Sequence, residues 1–317
     1  MADKIEKQTK PGASWQRTLM KGYPILILAF VVILFGILSG GSIFTVRSLK
    51  NIAESSFQYL IGCMAALFIF AQGEQDFSLA ANIALSAIIA VSVSSLGVPA
   101  VILVALLVSI VIGGLNGLLY ARLPIPVFFL TMCIGNVITG FLGPLTKYQS
   151  VKAPASMLKW NNIYLKIVIT IVFGILMWIL YQKTEYGKCS RAIGASQVVT
   201  AESGININKY KFAAFVLTGI SAGIIAFFSI CKSGGASQAT GTMFHFNVLV
   251  AMALGGATTG GPKVKFQCAV LGPLIISVLT LGMNLAQVPV GMQNLFKGVL
   301  FLGVMVLSDR LSKFDID

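Results

Sequence analysis

Apolar residues in this chain do not alternate with polar ones; they run on in stretches that contain no Lys, Arg, Asp or Glu. The stretches are 22–46, 55–73, 77–121, 123–146, 167–182, 212–231, 233–262, 266–296 and 298–308. A helix that crosses a lipid hydrocarbon core needs about 20 mainly apolar residues, so most stretches predict one spanning helix and 77–121 predicts two. Ser94, Ser95, Gly97 and Pro99 supply the bend between that pair. Stretch 233–262 differs, because its ends are rich in Gly, Ser and Thr and only Phe244 to Leu254 is compactly apolar. That predicts a short or re-entrant helix, shielded from lipid by protein or lining a water path. Stretch 298–308 is also short and joins Met292–Phe296 if Lys297 snorkels to the interface. The pattern therefore predicts an all-α polytopic membrane protein of about ten transmembrane segments, one of them short or re-entrant. Polar positions gather in an N-terminal tail at 1–21, a loop at 182–210 and a C-terminal tail at 311–317, which leaves 22–310 as the transmembrane domain.

Composition narrows the class further. Of 317 residues, 56% are hydrophobic and 10% charged, with a mean hydropathy of +0.88. Soluble domains carry about 25% charged residues, so a soluble globular protein is excluded. The net charge of +13 comes largely from Lys and Arg that fall on one side when both termini and the 182–210 loop are cytoplasmic. Such residues set topology and meet anionic lipid, so nucleic-acid binding is not implied. A rival reading takes Lys4 to Ser42 as a signal peptide with Ile25–Leu38 as its apolar region, but that run is long enough to remain as a first span.

Little in the sequence carries reactive chemistry. Cys63, Cys133, Cys189, Cys231 and Cys268 form no C-x-x-C pair, and most lie in or beside apolar stretches, where a thiol behaves as a small hydrophobe. Gly256 and Gly261 are spaced as in a phosphate-cradling loop, but Pro262 precedes Lys263 and Val264 follows it, where a nucleotide loop needs Lys and then Ser or Thr. A tight turn is expected there, and no bound cofactor. His245 is the lone histidine, without an acidic neighbour in sequence, which argues against metal or catalytic work and leaves room for a substrate contact. Glu74 and Asp76 lie between two apolar stretches, where acids are costly and often functional. Either Asp76 or Ser78 caps the helix that begins near Phe77, or the acids serve an ion-coupled secondary carrier, or they have a conformational role. Asn82, Asn116, Asn136, His245, Asn247 and Asn284 are polar positions inside apolar stretches, and so are candidates for a translocation path or for hydrogen bonds between helices.

The 182–210 loop is the longest charged stretch after the N-terminal tail. It contains Glu185-Tyr-Gly-Lys-Cys-Ser-Arg-Ala-Ile-Gly-Ala-Ser-Gln-Val-Val-Thr-Ala-Glu-Ser-Gly-Ile-Asn-Ile207. This segment resembles the cytoplasmic loop of permease subunits in ribose-type sugar ABC importers. Asp76-Phe-Ser-Leu79, Leu115-Asn-Gly-Leu-Leu-Tyr-Ala-Arg-Leu-Pro-Ile-Pro126, Leu254-Gly-Gly-Ala-Thr-Thr-Gly-Gly261 and Gly282-Met-Asn-Leu285 agree with the same family in order and spacing. The chain departs from the family's usual pattern at Glu74, Gln75 and Phe77, and at Gln197, Val198 and Val199.

The resemblance implies a permease of the bacterial plasma membrane that forms the path for a monosaccharide or similar small polar solute. ATP would bind a separate ABC ATPase subunit, a second permease copy or paralogue would complete the path, and an extracytoplasmic substrate-binding protein would deliver the solute. A short helix from Ser196 to Glu202, capped by Ser196 and stopped by Gly204, would dock on the ATPase. The ATPase-coupling residues would then be Gly194, Ala195, Ser196, Ala201, Glu202, Ser203, Gly204 and Ile205. Against this stand the secondary carrier using Glu74 or Asp76, disfavoured by the lack of a clear internal repeat, and a membrane enzyme or structural subunit, disfavoured by the lack of a His, Cys or acidic cluster.

Overall fold

A computed structural model describes residues 13–257 and 261–313. Its helices are α1 (Ala13–Leu38), α2 (Val46–Ala71), α3 (Leu79–Ser92), α4 (Val98–Arg122), α5 (Val127–Thr146), α6 (Ile163–Gln182), α7 (Glu185–Ala195), α8 (Gln197–Glu202), α9 (Ile207–Ser233), α10 (Phe244–Leu254), α11 (Cys268–Leu285) and α12 (Val290–Lys313). Two short strands, β1 (Val151–Lys152) and β2 (Gly235–Ala236), pair antiparallel. Helices α2, α4, α5, α6, α9 and α11 are long and apolar enough to cross a membrane; shorter apolar stretches lie at Pro24–Leu38, α3, α10 and Val290–Val306. The chain is an all-helical, polytopic membrane protein.

The interruptions follow local chemistry. A 3₁₀ turn at Ser94–Leu96 and Gly97 at φ 98° separate α3 from α4, and Pro99 sits in the first turn of α4, where its missing N–H costs nothing. Helix α10 spans Phe244–Leu254, the segment whose hydropathy marks it as short. Three expectations need correction. Helix α1 already begins at Ala13, inside the segment read as a tail; the earlier part of that tail and the end of the C-terminal one lie outside the described residues. The helix expected near Phe77 starts at Leu79. Lys297 does not snorkel: it is buried on α12, and its Nζ donates to Asn247 Oδ1 at 3.0 Å. The 182–210 loop also holds a further helix, α7, besides the short one anticipated.

Helices α2 and α9 form the centre, buried along most of their length. Helix α4 lies antiparallel against α9 through small residues. A Cβ on Gly113 would approach the Phe215 carbonyl to 2.5 Å, one on Gly219 the Ser109 carbonyl to 2.7 Å, and one on Gly223 Ser109 Oγ to 2.5 Å. Lipid tails are as apolar as side chains, so helices in a bilayer associate mainly through such close packing.

The fold contains a repeat that the sequence does not display. In α2–α5 a long helix is followed by an irregular segment, a short helix and two more helices; α9–α12 has the same order. Gln72, at the end of α2, bonds the Tyr210 carbonyl near the start of α9, so the leading helices of the two units run in opposite senses. Helix α4 packs on α9 and α11 packs on α2, the exchanged pairing expected of two related halves.

Candidate functional site

The two irregular segments meet in the interior. The first opens with a Schellman closure of α2: Gly73 at φ 82° donates to the Phe70 carbonyl at 3.0 Å, and Glu74 N–H to the Ile69 carbonyl at 3.1 Å. Asp76 then shapes the entry to α3. Its Oδ1 accepts from Ser78 N–H at 2.8 Å and from Ser78 Oγ at 2.6 Å, while its Oδ2 accepts from Thr218 Oγ1 at 3.4 Å. The carboxylate closes an Asx-type turn onto Ser78, the residue before α3; Ser78 makes no side-chain cap of its own. Asn116 Nδ2 donates to Ser78 Oγ at 2.6 Å, and Phe77 N–H donates to Thr131 Oγ1 at 3.2 Å. The break is thus held by α4, α5 and α9, as irregular backbone away from water requires.

The second break precedes α10. Gly241 at φ 75° packs on Ala80 and Ile83 of α3, and Met243 adopts φ 59° before the helix begins. One residue into α10, the His245 ring lies 5.7 Å from that of Phe77, joining the two breaks. Its Nδ1 is buried and has no hydrogen-bond partner among the described residues. The cavity between Asp76, Phe77, His245 and Val248 at the junction has a volume of about 10 Å³. That is at the lower limit for one water molecule, so the junction is closed.

The six candidate path residues are dispersed. Asn116 and His245 adjoin the junction. Asn82 donates to the Ser109 carbonyl at 3.1 Å and accepts from Ser86, tying α3 to α4. Asn247 accepts from Lys297, and Asn284 accepts from Gln293 at 2.8 Å in the α11–α12 connection. Asn136 is exposed on α5 and has no hydrogen-bond partner among the described residues. Thr131 and Thr218 were not foreseen as partners of the break, because hydroxyls abound on these helices and only the packing selects which of them face it; nor was Lys297 as the partner of Asn247.

At the α2–α3 turn the chain also meets α7. Gln72 Nε2 reaches Ser190 Oγ at 3.4 Å and the Tyr210 carbonyl at 3.2 Å. Arg191 Nη1 donates to the Tyr181 carbonyl at 3.1 Å and lies over the Tyr181 ring, whose hydroxyl donates to the Val264 carbonyl at 2.6 Å. Gly194 backs directly onto the Ala71 carbonyl, leaving no room for a side chain, and Gly261 N–H donates to the Phe70 carbonyl at 2.7 Å. One end of α7 is therefore fastened to both the end of α2 and the segment after α10. Residues 258–260 of the Gly-rich turn lie outside the described residues; Lys263 and Lys265, which follow it, are exposed.

Helix α8 projects from this base. Ser196 Oγ caps it by accepting from Val199 N–H at 3.3 Å, and Gly204 at φ 79° ends it. Val198 and Val199 are 67% and 60% exposed, and Ala201, Glu202, Ser203 and Gly204 are exposed beside them; Ala195 is exposed too, while Ile205 is half-buried. Nearby, the Lys211 ammonium stands 4.3 Å from the centre of the Tyr120 ring. Burial raises the Glu74 carboxyl above its ordinary value, although Lys211 and Tyr120 pull it back.

The family model for the branched-chain amino acid transport system permease component matches residues 48–305. The ribose import permease protein of Escherichia coli (strain K12) is 24% identical, with 92% of this chain and 94% of the relative aligned. The D-allose transport system permease protein of the same organism is 25% identical over 90% and 91%. The fructose import permease protein of Rhizobium meliloti is 23% identical over 92% and 85%. No solved structure matches the chain.

Proposed function

The chain belongs to the branched-chain amino acid transport system permease component family, and on that premise we propose how its parts divide the work of import. It is the membrane-spanning permease subunit of an ATP-binding cassette importer for a sugar. The solute is a monosaccharide or similar small polar molecule delivered by an extracytoplasmic binding protein. A second permease, a copy or a paralogue, completes the path, to which Asn82, Asn116, Asn136, His245, Asn247 and Asn284 are candidate contributors. Residues 22–310 are the transmembrane domain. α1, α2, α3, α4, α5, α6, α9, α10, α11 and α12 cross or enter a bacterial plasma membrane, with both termini cytoplasmic. ATP is bound and hydrolysed by a separate ATPase subunit, and this chain carries no cofactor.

Coupling is assigned to Gly194–Ile205. The observation that supports it is the contrast between α7, fastened to the end of α2 and the segment after α10, and α8, which projects with Val198 and Val199 exposed. An apolar pair presented on a capped, rigid turn suits a cleft in another protein, and a push on it reaches both broken helices through one anchor. The test is to purify the tagged chain from its membrane in mild detergent and identify what accompanies it. An ATPase with a phosphate-binding loop is expected, and Val198→Asp is expected to release it and abolish ATP-driven uptake while the permease still inserts. A chain that purifies alone and transports in vesicles without ATP would overturn the reading in favour of a carrier using Glu74 or Asp76.

A further inference from the structure

We infer that the polar cavity on the far side of the second break from α8 is an outer substrate site, shaped for a neutral polyhydroxylated molecule; the inference rests on the transport reading above. The cavity has a volume of about 480 Å³, within the roughly 300–1,000 Å³ of small-molecule sites. It lies between α2, the last turns of α9, the β1–β2 pair and the segment leading to α10. The hydroxyls of Ser150, Ser229, Ser233, Ser237 and Thr240 and the amide of Gln58 line it.

The chemistry of this lining selects its ligand. A hydroxyl both donates and accepts, as does each hydroxyl of a sugar, so the two sets can pair in either sense. No carboxylate, imidazole or thiol lines the cavity, which removes the usual ligands of a cation; Lys232, exposed at its rim, adds a donor. The groups are held in place before any ligand arrives. Gln58 Nε2 donates to Ser229 Oγ at 3.2 Å, Ser233 Oγ to the Gly235 carbonyl at 2.7 Å, and Ser237 N–H to Thr240 Oγ1 at 3.0 Å. Position supports the same reading. Gly241 forms the floor against Ala80 and Ile83, and α10 begins immediately beyond it. The Asp76–His245 junction past that point is shut. A solute in the cavity would therefore wait above a closed gate, as alternating access requires.

The experiment uses membranes containing the complete importer and a panel of neutral monosaccharides, beginning with radiolabelled D-ribose and D-fructose. Ala239→Cys, in a chain whose Cys133 and Cys189 are replaced by alanine, places a thiol at the cavity wall. A sugar that the membranes take up is expected to slow labelling of this thiol by an impermeant maleimide at least fivefold. Ser229→Ala combined with Gln58→Leu is expected to raise the KM for uptake about tenfold with little change in maximal rate, and Ser229→Thr is expected to retain the original KM. Labelling unaffected by a sugar that is transported, or an unchanged KM in the double variant, would overturn the site and leave the transport reading standing. Absence of ATP-dependent uptake of every sugar in the panel would overturn the transport reading and this inference with it.

Discussion

Two polar side chains packed among the helices, Asp76 half-buried and Lys297 buried, have opposite relations to the sequence. Asp76 could be read in part, because an acid shortly before an apolar helix has the task of ordering the entry to it, and its oxygens receive Ser78 and Thr218. Lys297 could not, because hydropathy gives a lysine's position and not its direction; its stem could equally have carried the ammonium to an interface. Instead Asn247 Oδ1 is its acceptor, and no carboxylate meets it among the described residues. A buried ammonium with one neutral acceptor is poorly compensated, which predicts an asymmetry between the partners. Lys297→Met keeps the stem and removes the charge, so the melting temperature in detergent is expected to stay level or rise. Asn247→Leu strands the ammonium and is expected to cost about 1–3 kcal/mol. Adding Lys297→Met to Asn247→Leu should restore stability, giving a strongly coupled double-mutant cycle. A harmless Asn247→Leu would mean that the lysine head reaches water after all.

At the level of elements, what the sequence disclosed depended on whether the cause was local. The stop at Ser94–Gly97, the short α10 and the capped α8 all rest on neighbours in the chain: Gly at positive φ, Ser at a cap, a brief apolar run. The interface of α4 with α9 rests on residues about a hundred positions apart, and the glycines that make it look no different in sequence from other helical glycines. Gly219 and Gly140 separate the two cases. A Cβ at Gly219 would press on the Ser109 carbonyl at 2.7 Å, whereas one at Gly140 on α5 would meet nothing within 4 Å. Gly219→Leu is expected to force α4 and α9 apart and cost about 1–3 kcal/mol or more. Gly140→Ala should be neutral or slightly stabilising, since alanine is the better helix former. Thermal unfolding of both variants in the same detergent is the check; equal melting temperatures would mean that the α4–α9 seam does not depend on close backbone approach.

For the molecule as a whole, the repeat offers an internal comparison, because α5 and α12 occupy corresponding places in the two halves. On α12 the polar residues Gln293 and Lys297 turn inward, and the exposed side chains include Met292, Leu295, Phe296, Val299, Leu302 and Val306. That is a face for lipid. On α5 the exposed face includes Asn136 and Thr139 among apolar neighbours, and the Asn136 amide has no partner within the described chain. In hydrocarbon such an amide would cost several kcal/mol, so this side of α5 belongs against water or protein. A path between two permeases supplies both. Cys133 lies on the same helix, about one turn before Asn136, and is exposed as well. A short bifunctional maleimide added to native membranes should therefore join two permease chains through Cys133, and Cys133→Ser should abolish the product. The mass of the cross-linked species distinguishes a copy from a paralogue. Asn136→Leu should lower uptake about tenfold, a loss of roughly 1.4 kcal/mol at the barrier, without lowering the melting temperature. If no cross-link forms and Asn136→Leu transports normally, α5 faces lipid, and the path must run beside another helix.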